Sequence, residues 1–191
     1  MSGWERLQVI YGSLLGDAWL DKPADGNARL QVRHSIKQRG YVEFKNRVLK
    51  PLSLDLIFYE YLDRRTGKTY RQVGFNTRRH PLFTYLRLLF YNNGVKTFPV
   101  ELFDDMDEIA LAIFIGDDGT FDKNAGTVKI SVDSYRLRER ELIRAWLERK
   151  FSLKTTLQKD RVYVLKSSLP TLVKIVSQYM PESIHYKLSP P

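Results

Sequence analysis

Three aspartates stand at the ends of apolar segments, where carboxylates can hold a metal ion. The stretch LAIFIGDDGTF, residues 111–121, runs from apolar residues directly into Asp117 and Asp118. The apolar part predicts a helix, and the C-terminal end of a helix already carries partial negative charge, so carboxylates there need a cation or a protein partner to offset the repulsion. Taken alone, Asp117-Asp118-Gly119 is more typical of a turn that follows a helix.

A weak internal repeat favours the functional interpretation. Residues 10–18, IYGSLLGDA, align without gaps on residues 111–119, LAIFIGDDG, and the alignment places Asp17 opposite Asp118. Both motif helices also carry small residues four apart, which lets helix backbones approach closely. If the two helices pack side by side, their ends coincide and Asp17 meets Asp118. Two carboxylates there would suit Mg²⁺, and a metal ion there would activate water and stabilise charge on a phosphodiester.

The same order of elements follows each aspartate. Alternation and helical periodicity predict a strand, a helix, two extended segments and a helix in each half, so each half reads helix, strands, helix, strands, helix. The predicted bounds are 28–35, 37–49, 56–62, 68–75 and 81–91 in the first half, and 127–132, 136–151, 154–159, 161–166 and 169–179 in the second. The halves also end alike, with KTFP at 96–99 and KLSP at 187–190. We therefore predict two halves, residues 1–99 and 100–191.

The predicted strands have one apolar and one polar face. Leu30 and Val32 alternate with basic and amide side chains, as Val128 and Ile130 alternate with Lys129 and Ser131. A solvated face is the simpler interpretation for one strand, but its repetition in both halves favours a nucleic-acid surface, since a two-stranded ribbon fits the major groove. The candidate DNA-binding residues on or near this face are Arg29, Gln31, Arg33, Arg64, Arg65, Lys68, Arg71, Lys129 and Ser131.

The composition narrows the class of partner. The 191 residues carry 31 Lys plus Arg against 22 Asp plus Glu, a formal charge of +9, so nucleic acid is the first expected partner and an acidic membrane surface the second. The chain has no cysteine, which excludes disulfides and thiolate metal sites and fits a reducing compartment, the cytoplasm or an organelle matrix. His34, His80 and His185 are scattered, which argues against a zinc site. The apolar stretch near the N-terminus is too short and polar for a membrane span, and we expect no signal peptide.

The motifs GSLLGDAWL and LAIFIGDDGTF resemble the two copies of the LAGLIDADG motif, and the chain resembles the monomeric, two-motif homing endonucleases of that family over nearly its whole length. The resemblance implies an α+β fold, in which a pseudo-symmetric pair of αββαββα halves carries saddle-shaped antiparallel sheets around a central pair of motif helices. It further implies a monomer that cleaves both strands of double-stranded DNA at a long asymmetric site in intron or intein homing, leaving short 3′ overhangs.

The resemblance also assigns roles to residues. Asp17 and Asp118 match the metal-binding acids, and the carbonyl oxygens of Gly16 and Asp117 complete the ligand set for Mg²⁺, for which Mn²⁺ is expected to substitute. Lys96 and Lys187 match the basic residues near the scissile phosphates. Because only the carbonyl of Asp117 has a role, Asp117→Asn is expected to matter much less than Asp118→Asn.

The chain departs from the motif at four positions: Leu15, Ala18, Ile113 and Gly116. None of them removes a metal-binding aspartate. An RNA-binding intron maturase on the same scaffold, with intron RNA as its partner, is the main alternative, and a non-catalytic DNA-binding protein is a third. The acids favour the enzyme, because binding alone would not place carboxylates opposite a polyanion.

Overall fold

Each half of the chain begins with an apolar helix, and these two helices pack against each other at the centre of the molecule. The computed structural model describes residues 2–21 and 23–189, so the predicted match at Lys187–Pro190 is described only as far as Ser189. The helices are α1 Gly3–Leu15, α2 Arg39–Val48, α3 Pro81–Phe90, α4 Glu108–Asp118, α5 Leu137–Phe151 and α6 Leu169–Val176.

The strands form two four-stranded antiparallel sheets and one short hairpin. The strands are β1 Trp19–Leu20, β2 Leu30–Ser35, β3 Ile57–Asp63, β4 Lys68–Asn76, β5 Tyr91–Asn92, β6 Val95–Lys96, β7 Gly119–Asp122, β8 Thr127–Ser131, β9 Thr155–Gln158 and β10 Arg161–Val164. The first sheet has the order β1-β2-β4-β3 and the second β7-β8-β10-β9. Both halves therefore read αββαββα with the same strand order, which confirms the predicted fold class.

The predicted elements differ from the observed ones mainly at their ends. The short strands β1 and β7 lie just after the motif aspartates and were not among the segments predicted from alternation, although the αββαββα resemblance implies a strand at each position. The helix predicted over 169–179 ends at Val176, and a 3₁₀ turn, Ser177–Tyr179, continues it. Short 3₁₀ turns of this kind are common at helix ends.

The core lies between the sheets and the helices. Alternate residues of β2 and β8, among them Leu30, Val32, Val128 and Ile130, are buried, while their neighbours on the other face are partly exposed. Every residue of α4 from Ile109 to Ile115 is buried, because this helix is surrounded by both halves. Burial on all sides explains why the second motif is apolar throughout rather than amphipathic.

Polar side chains of α1 and of the start of α4 fix how the two helices align. Asp107 caps α4 by accepting the backbone N–H groups of Ile109 and Ala110. The Gln8 amide of α1 accepts the Asp107 N–H at 2.9 Å and donates to the Asp105 carbonyl at 2.8 Å. These bonds tie the middle of α1 to the start of α4 and help to fix how the two helices lie against each other.

The close helix contact depends on glycine in α1. A Cβ atom at Gly12 would collide with the Ala110 carbonyl, and one at Gly16 would collide with the side chain of Asp117. The sequence predicted a matching small-residue contact from Ala112 and Gly116. Gly116 instead faces the hydroxyl of Tyr41, so its lack of a side chain makes room for α2 rather than for α1.

Candidate active site

The C-terminal ends of the two motif helices close differently. At the end of α1, Gly16 donates its N–H to the Gly12 carbonyl, but Ala18 donates to Ser13, five residues back. The Ser13 carbonyl is the acceptor that a continued helix would offer to Asp17. The Asp17 N–H instead donates across the helix interface to Asp117 Oδ2 at 3.1 Å. In contrast, α4 continues through Asp118.

The two predicted metal-binding acids share one electrostatic site. Burial and the Asp117 charge raise the pKa of Asp17, although its side chain remains 46% exposed. Burial, followed by the charges of Asp17 and Asp117, raises the pKa of Asp118 to about 8. The structure thus brings Asp17 and Asp118 into electrostatic contact, and their mutual repulsion is what a bound cation would relieve.

The two predicted lysines hold the carbonyl oxygens at the helix ends. Lys96 Nζ donates to the carbonyls of Gly16 at 2.6 Å and Ala18 at 3.1 Å. Lys187 Nζ donates to the carbonyls of Gly116 at 2.6 Å and Asp117 at 2.8 Å. Burial lowers the pKa of both ammonium groups, and the nearby carboxylates oppose that shift. Each half therefore supplies one lysine to its own motif helix, in equivalent positions.

The side chain of Asp117 forms a buried cluster that the sequence did not predict. Its Oδ1 atom accepts from Lys45 Nζ at 2.6 Å and from the Tyr41 hydroxyl at 2.8 Å, and Lys45 and Asp117 have fully buried side chains. Burial alone would raise the pKa of Asp117, but Lys45, with His34 and Tyr41, holds this pKa below its usual value. Asp117 is therefore charged and paired inside the protein.

His34 connects this cluster to Asp17. Its Nδ1 atom lies 3.3 Å from Asp17 Oδ2, and its Nε2 atom lies 3.7 Å from Asp117 Oδ1. Burial, reinforced by the Lys45 charge, lowers the pKa of His34 to about 4. The ring is therefore neutral at physiological pH and contacts Asp17 as a dipole rather than as a cation.

These contacts change the expectation for Asp117→Asn. The family resemblance assigned Asp117 only a carbonyl role, whereas the structure buries its carboxylate against a lysine and the Asp17 backbone. Removing one partner of a buried ion pair leaves the other charge uncompensated. The substitution is therefore not expected to be mild.

The sequence analysis missed His34 and Lys45, although the sequence contains a signal for each of them. His34 stands two residues after Val32, on the inward face of β2. Lys45 lies on the buried face of α2 with Tyr41, Val42 and Val48. A polar or charged residue at an apolar position of a strand or helix indicates a polar partner nearby, and that partner is Asp117 for Lys45 and Asp17 for His34.

The oxygen donors at the helix ends fit a hard divalent cation. The acids Asp17 and Asp118 and the carbonyls of Gly16 and Asp117 supply oxygen ligands of the kind Mg²⁺ uses. Asp17, His34 and Asp117 also have ligand atoms within 4.8 Å of one another. Lys45 already occupies Asp117 Oδ1 at 2.6 Å, so this second group fits a polar network better than a metal site.

The polar faces of the two sheets carry most of the predicted DNA-binding residues. Pairing places Arg33 opposite Gly74 and Lys129 opposite Tyr163. The Arg33 guanidinium lies 3.9 Å from the centre of the Tyr59 ring and 5.6 Å from that of Trp19. The remaining residues on or beside these faces are Arg29, Gln31, Lys68 and Ser131. Of these, Arg29 forms an ion pair with Asp21.

Three predicted DNA-binding residues lie away from this face. Arg64 and Arg65 lie in the exposed turn between β3 and β4. Arg71 shares its face of β4 with the buried Val73 and pairs with Glu60 at 2.7 Å. The sequence placed Arg71 near the polar face, whereas the register of β4 directs it to the opposite one.

Comparison with known proteins places this arrangement in a family. Residues 7–172 match the LAGLIDADG DNA endonuclease family. The chain belongs to that family. The cytochrome b mRNA maturase bI2 of Debaryomyces hansenii is 30% identical over 194 residues, which cover 96% of this chain and 73% of that protein. The bI2 maturase of Saccharomyces cerevisiae is 28% identical, and this chain spans 47% of its length.

Two further family comparisons concern endonucleases. The intron-encoded endonuclease ai4 of Dictyostelium discoideum is 34% identical over 128 residues, which cover 63% of this chain and 79% of that protein. The homing endonuclease I-WcaI, in a structure with its DNA recognition sequence, superposes with a TM-score of 0.87. That match covers 97% of this chain and 86% of the other at 23% identity, and it supports the LAGLIDADG fold. Within the described residues, no helix is both long and apolar enough to cross a membrane.

Proposed function

We propose that this protein is a site-specific, double-strand DNA endonuclease of the homing type. The observation that carries the proposal is the duplicated arrangement at the ends of α1 and α4, where each helix supplies one aspartate and each half one lysine. A protein that only bound nucleic acid would gain nothing from carboxylates placed opposite the phosphates. Duplication suits a reaction that must be carried out on both strands.

In this proposal Asp17 and Asp118, with the carbonyl oxygens of Gly16 and Asp117, would hold Mg²⁺ or Mn²⁺. Such a cation would lower the pKa of water and stabilise negative charge on the phosphate. Lys96 and Lys187 place positive charge beside the scissile phosphates, and they would release the Gly16 and Asp117 carbonyls to the cation. The burial of these groups strengthens their electrostatic interactions with the phosphate.

The sheet faces bind double-stranded DNA in this proposal. Arg33, Gln31 and Lys129 are the side chains on these faces best suited to hydrogen bonds with base edges in the major groove. The endonuclease I-WcaI, which has the same fold, was solved with its DNA recognition sequence, and this supports the assignment. Because both sheets belong to one chain, we expect the protein to be a monomer. Light scattering would measure its molar mass in solution.

The decisive experiment is cleavage of a library of random double-stranded sites with Mg²⁺, followed by sequencing of the cut ends. We expect cuts on both strands at one long, asymmetric sequence, with no cuts in EDTA. The control is the protein carrying both Asp17→Asn and Asp118→Asn. Cleavage that persisted in this control would show that the assigned site is wrong.

An intron RNA maturase is the second candidate, favoured by the similarity to two cytochrome b mRNA maturases. It requires the same scaffold but not the acids. If the protein cut no DNA with Mg²⁺ or Mn²⁺ but retained specific RNAs from a transcript library of its source genome, the maturase would be the better assignment.

A further inference from the structure

The Asp117 carboxylate is a charged group inside the helix interface that the proposed hydrolysis does not use. It lies against Gly16, the position immediately before the proposed metal-binding Asp17. Its two oxygens have separate partners: Oδ1 accepts from Lys45 and Tyr41, and Oδ2 accepts the Asp17 N–H. Lys45 and Tyr41 therefore hold one end of the carboxylate while the other end binds the first motif.

The Asp17 N–H depends on this acceptor. Helix α1 ends before Asp17, and the Ala18 N–H takes the Ser13 carbonyl that a continued helix would offer to Asp17. Leaving this partly buried N–H without an acceptor would be unfavourable. The second motif thus supplies the bond that fixes the backbone of the acid in the first.

A second contact reaches the Asp17 side chain. His34 lies between the two acids, with Nδ1 3.3 Å from Asp17 Oδ2 and Nε2 on the Asp117 side. The ring is 1% exposed and also packs on Tyr41, with ring centroids 5.4 Å apart. The groups around it are therefore Asp17, Asp117, Tyr41, Lys45, Lys187 and Gln38.

We propose that Asp117 is a positioning residue that fixes Asp17 through its backbone N–H, while His34 contacts the Asp17 side chain separately. This inference rests on the proposed function, because it assigns Asp117 a role in the geometry of the proposed metal-binding acid. It also predicts an asymmetry, since Asp118 lies within α4 and does not depend on this contact. Because the two acids form a shared site, loss of the Asp117 acceptor should slow the cleavage of both strands, and it should slow most the strand whose phosphate lies nearer Asp17.

The test compares two double variants that both lack the buried ion pair. Lys45→Met with Asp117→Asn keeps an oxygen for the Asp17 N–H and an amide N–H for the Tyr41 hydroxyl. Lys45→Met with Asp117→Ala keeps neither. The difference between the two variants therefore isolates the acceptor from the charge.

The first measurement is amide hydrogen exchange at Asp17, which needs no metal and no DNA. We expect exchange at least tenfold faster in the alanine variant than in the asparagine variant, with the Gly119 amide, bonded to the Ile115 carbonyl, unchanged in both. Equal exchange at Asp17 in the two variants would overturn the proposal. Should the alanine variant fail to fold, an unprotected Asp17 amide in the unmodified protein would overturn it just as well, and a protected one would support it.

The second measurement is strand-resolved cleavage with end-labelled DNA. Groups that orient a metal ligand are typically worth about 10–100-fold in metal affinity or activity. We expect the alanine variant to slow one strand by about tenfold or more and to accumulate a DNA nicked always on the same strand. Equal slowing of both strands would overturn the asymmetry. If no protein cleaved DNA but the exchange result held, the endonuclease assignment would fail while the positioning role stood.

Discussion

The two halves of the molecule share a fold but surround their acids differently. Trp19, two residues after Asp17, pairs with Gln31, and Thr120, two residues after Asp118, pairs with Lys129. His34 in the first half therefore corresponds to Val132 in the second. Both side chains point inward and are buried, but only the histidine reaches an acid.

The helices behind the sheets show the same contrast. Helix α2 buries Lys45 and Tyr41, whereas the buried side chains of α5 are Ile143, Trp146, Leu147 and Phe151. The negative charge of Asp117 in the helix interface is thus compensated by Lys45 and Tyr41, which both belong to the first half. A repeat can keep its fold while one copy specialises, provided that each buried charge finds its partner within the same network.

The largest expected effect tests what the halves have in common. Asp17→Asn and Asp118→Asn each remove the charge that holds the metal but keep the side-chain shape, so Mg²⁺-dependent cleavage should fall by orders of magnitude while DNA binding survives. Gel-shift and cleavage assays on both variants measure this. If one variant cleaved both strands normally, the two acids would not form a shared site.

The next largest effect is on the unfolding free energy, and it tests the buried ion pair that only the first half provides. Asp117→Asn leaves Lys45 buried without a counter-charge, and breaking a buried pair in this way costs about 3–5 kcal/mol of unfolding free energy. Adding Lys45→Met should recover most of that loss, because the second change removes the orphaned charge. Urea denaturation provides the measurement.

The matched control for this experiment is the exposed pair of Arg39 and Glu43 on α2. Exposed pairs contribute little, so Glu43→Gln should change stability by less than about 1 kcal/mol. If Asp117→Asn had an effect as small as this control, Asp117 would not be charged and paired in the folded protein.

The sequence and the structure agree where a pattern is repeated and differ where one copy is unusual. Alternation in β2 and β8 and the duplicated motif were enough to predict the order of elements and the meeting of Asp17 and Asp118. The Asp117 cluster could not be predicted, because its partners come from α2 and β2, far away in the chain. Its elements carry local signals, but only the packing shows that His34 and Lys45 share one acid.

The sheet faces provide a smaller contrast. Arg33 lies against Tyr59 and Trp19, whereas Lys129 pairs with Asp122 at 2.8 Å. Arg33→Ala and Lys129→Ala should each change base preference in one half-site only, by about 1–3 kcal/mol for the base concerned. Cleavage profiles over a library of single-base site variants measure both changes. A variant that altered preference in both half-sites would contradict the division of the DNA between the sheets.

The smallest effect comes from making the first half resemble the second. His34→Val copies Val132 into β2 and removes the ring that contacts Asp17, while Asp117 keeps Lys45, Tyr41 and the Asp17 N–H. Cleavage of one strand should therefore slow by about tenfold, and the unfolding free energy should change far less than in Asp117→Asn. His34→Gln, which retains a side-chain N–H donor, should recover part of the rate. The reverse substitution, Val132→His, places a polar ring in an apolar site without a partner, and it should cost about 1–3 kcal/mol of stability without any gain in cleavage. If His34→Val left both strands unchanged, the contact with Asp17 would be packing alone, and the difference between the halves would lie wholly in Asp117.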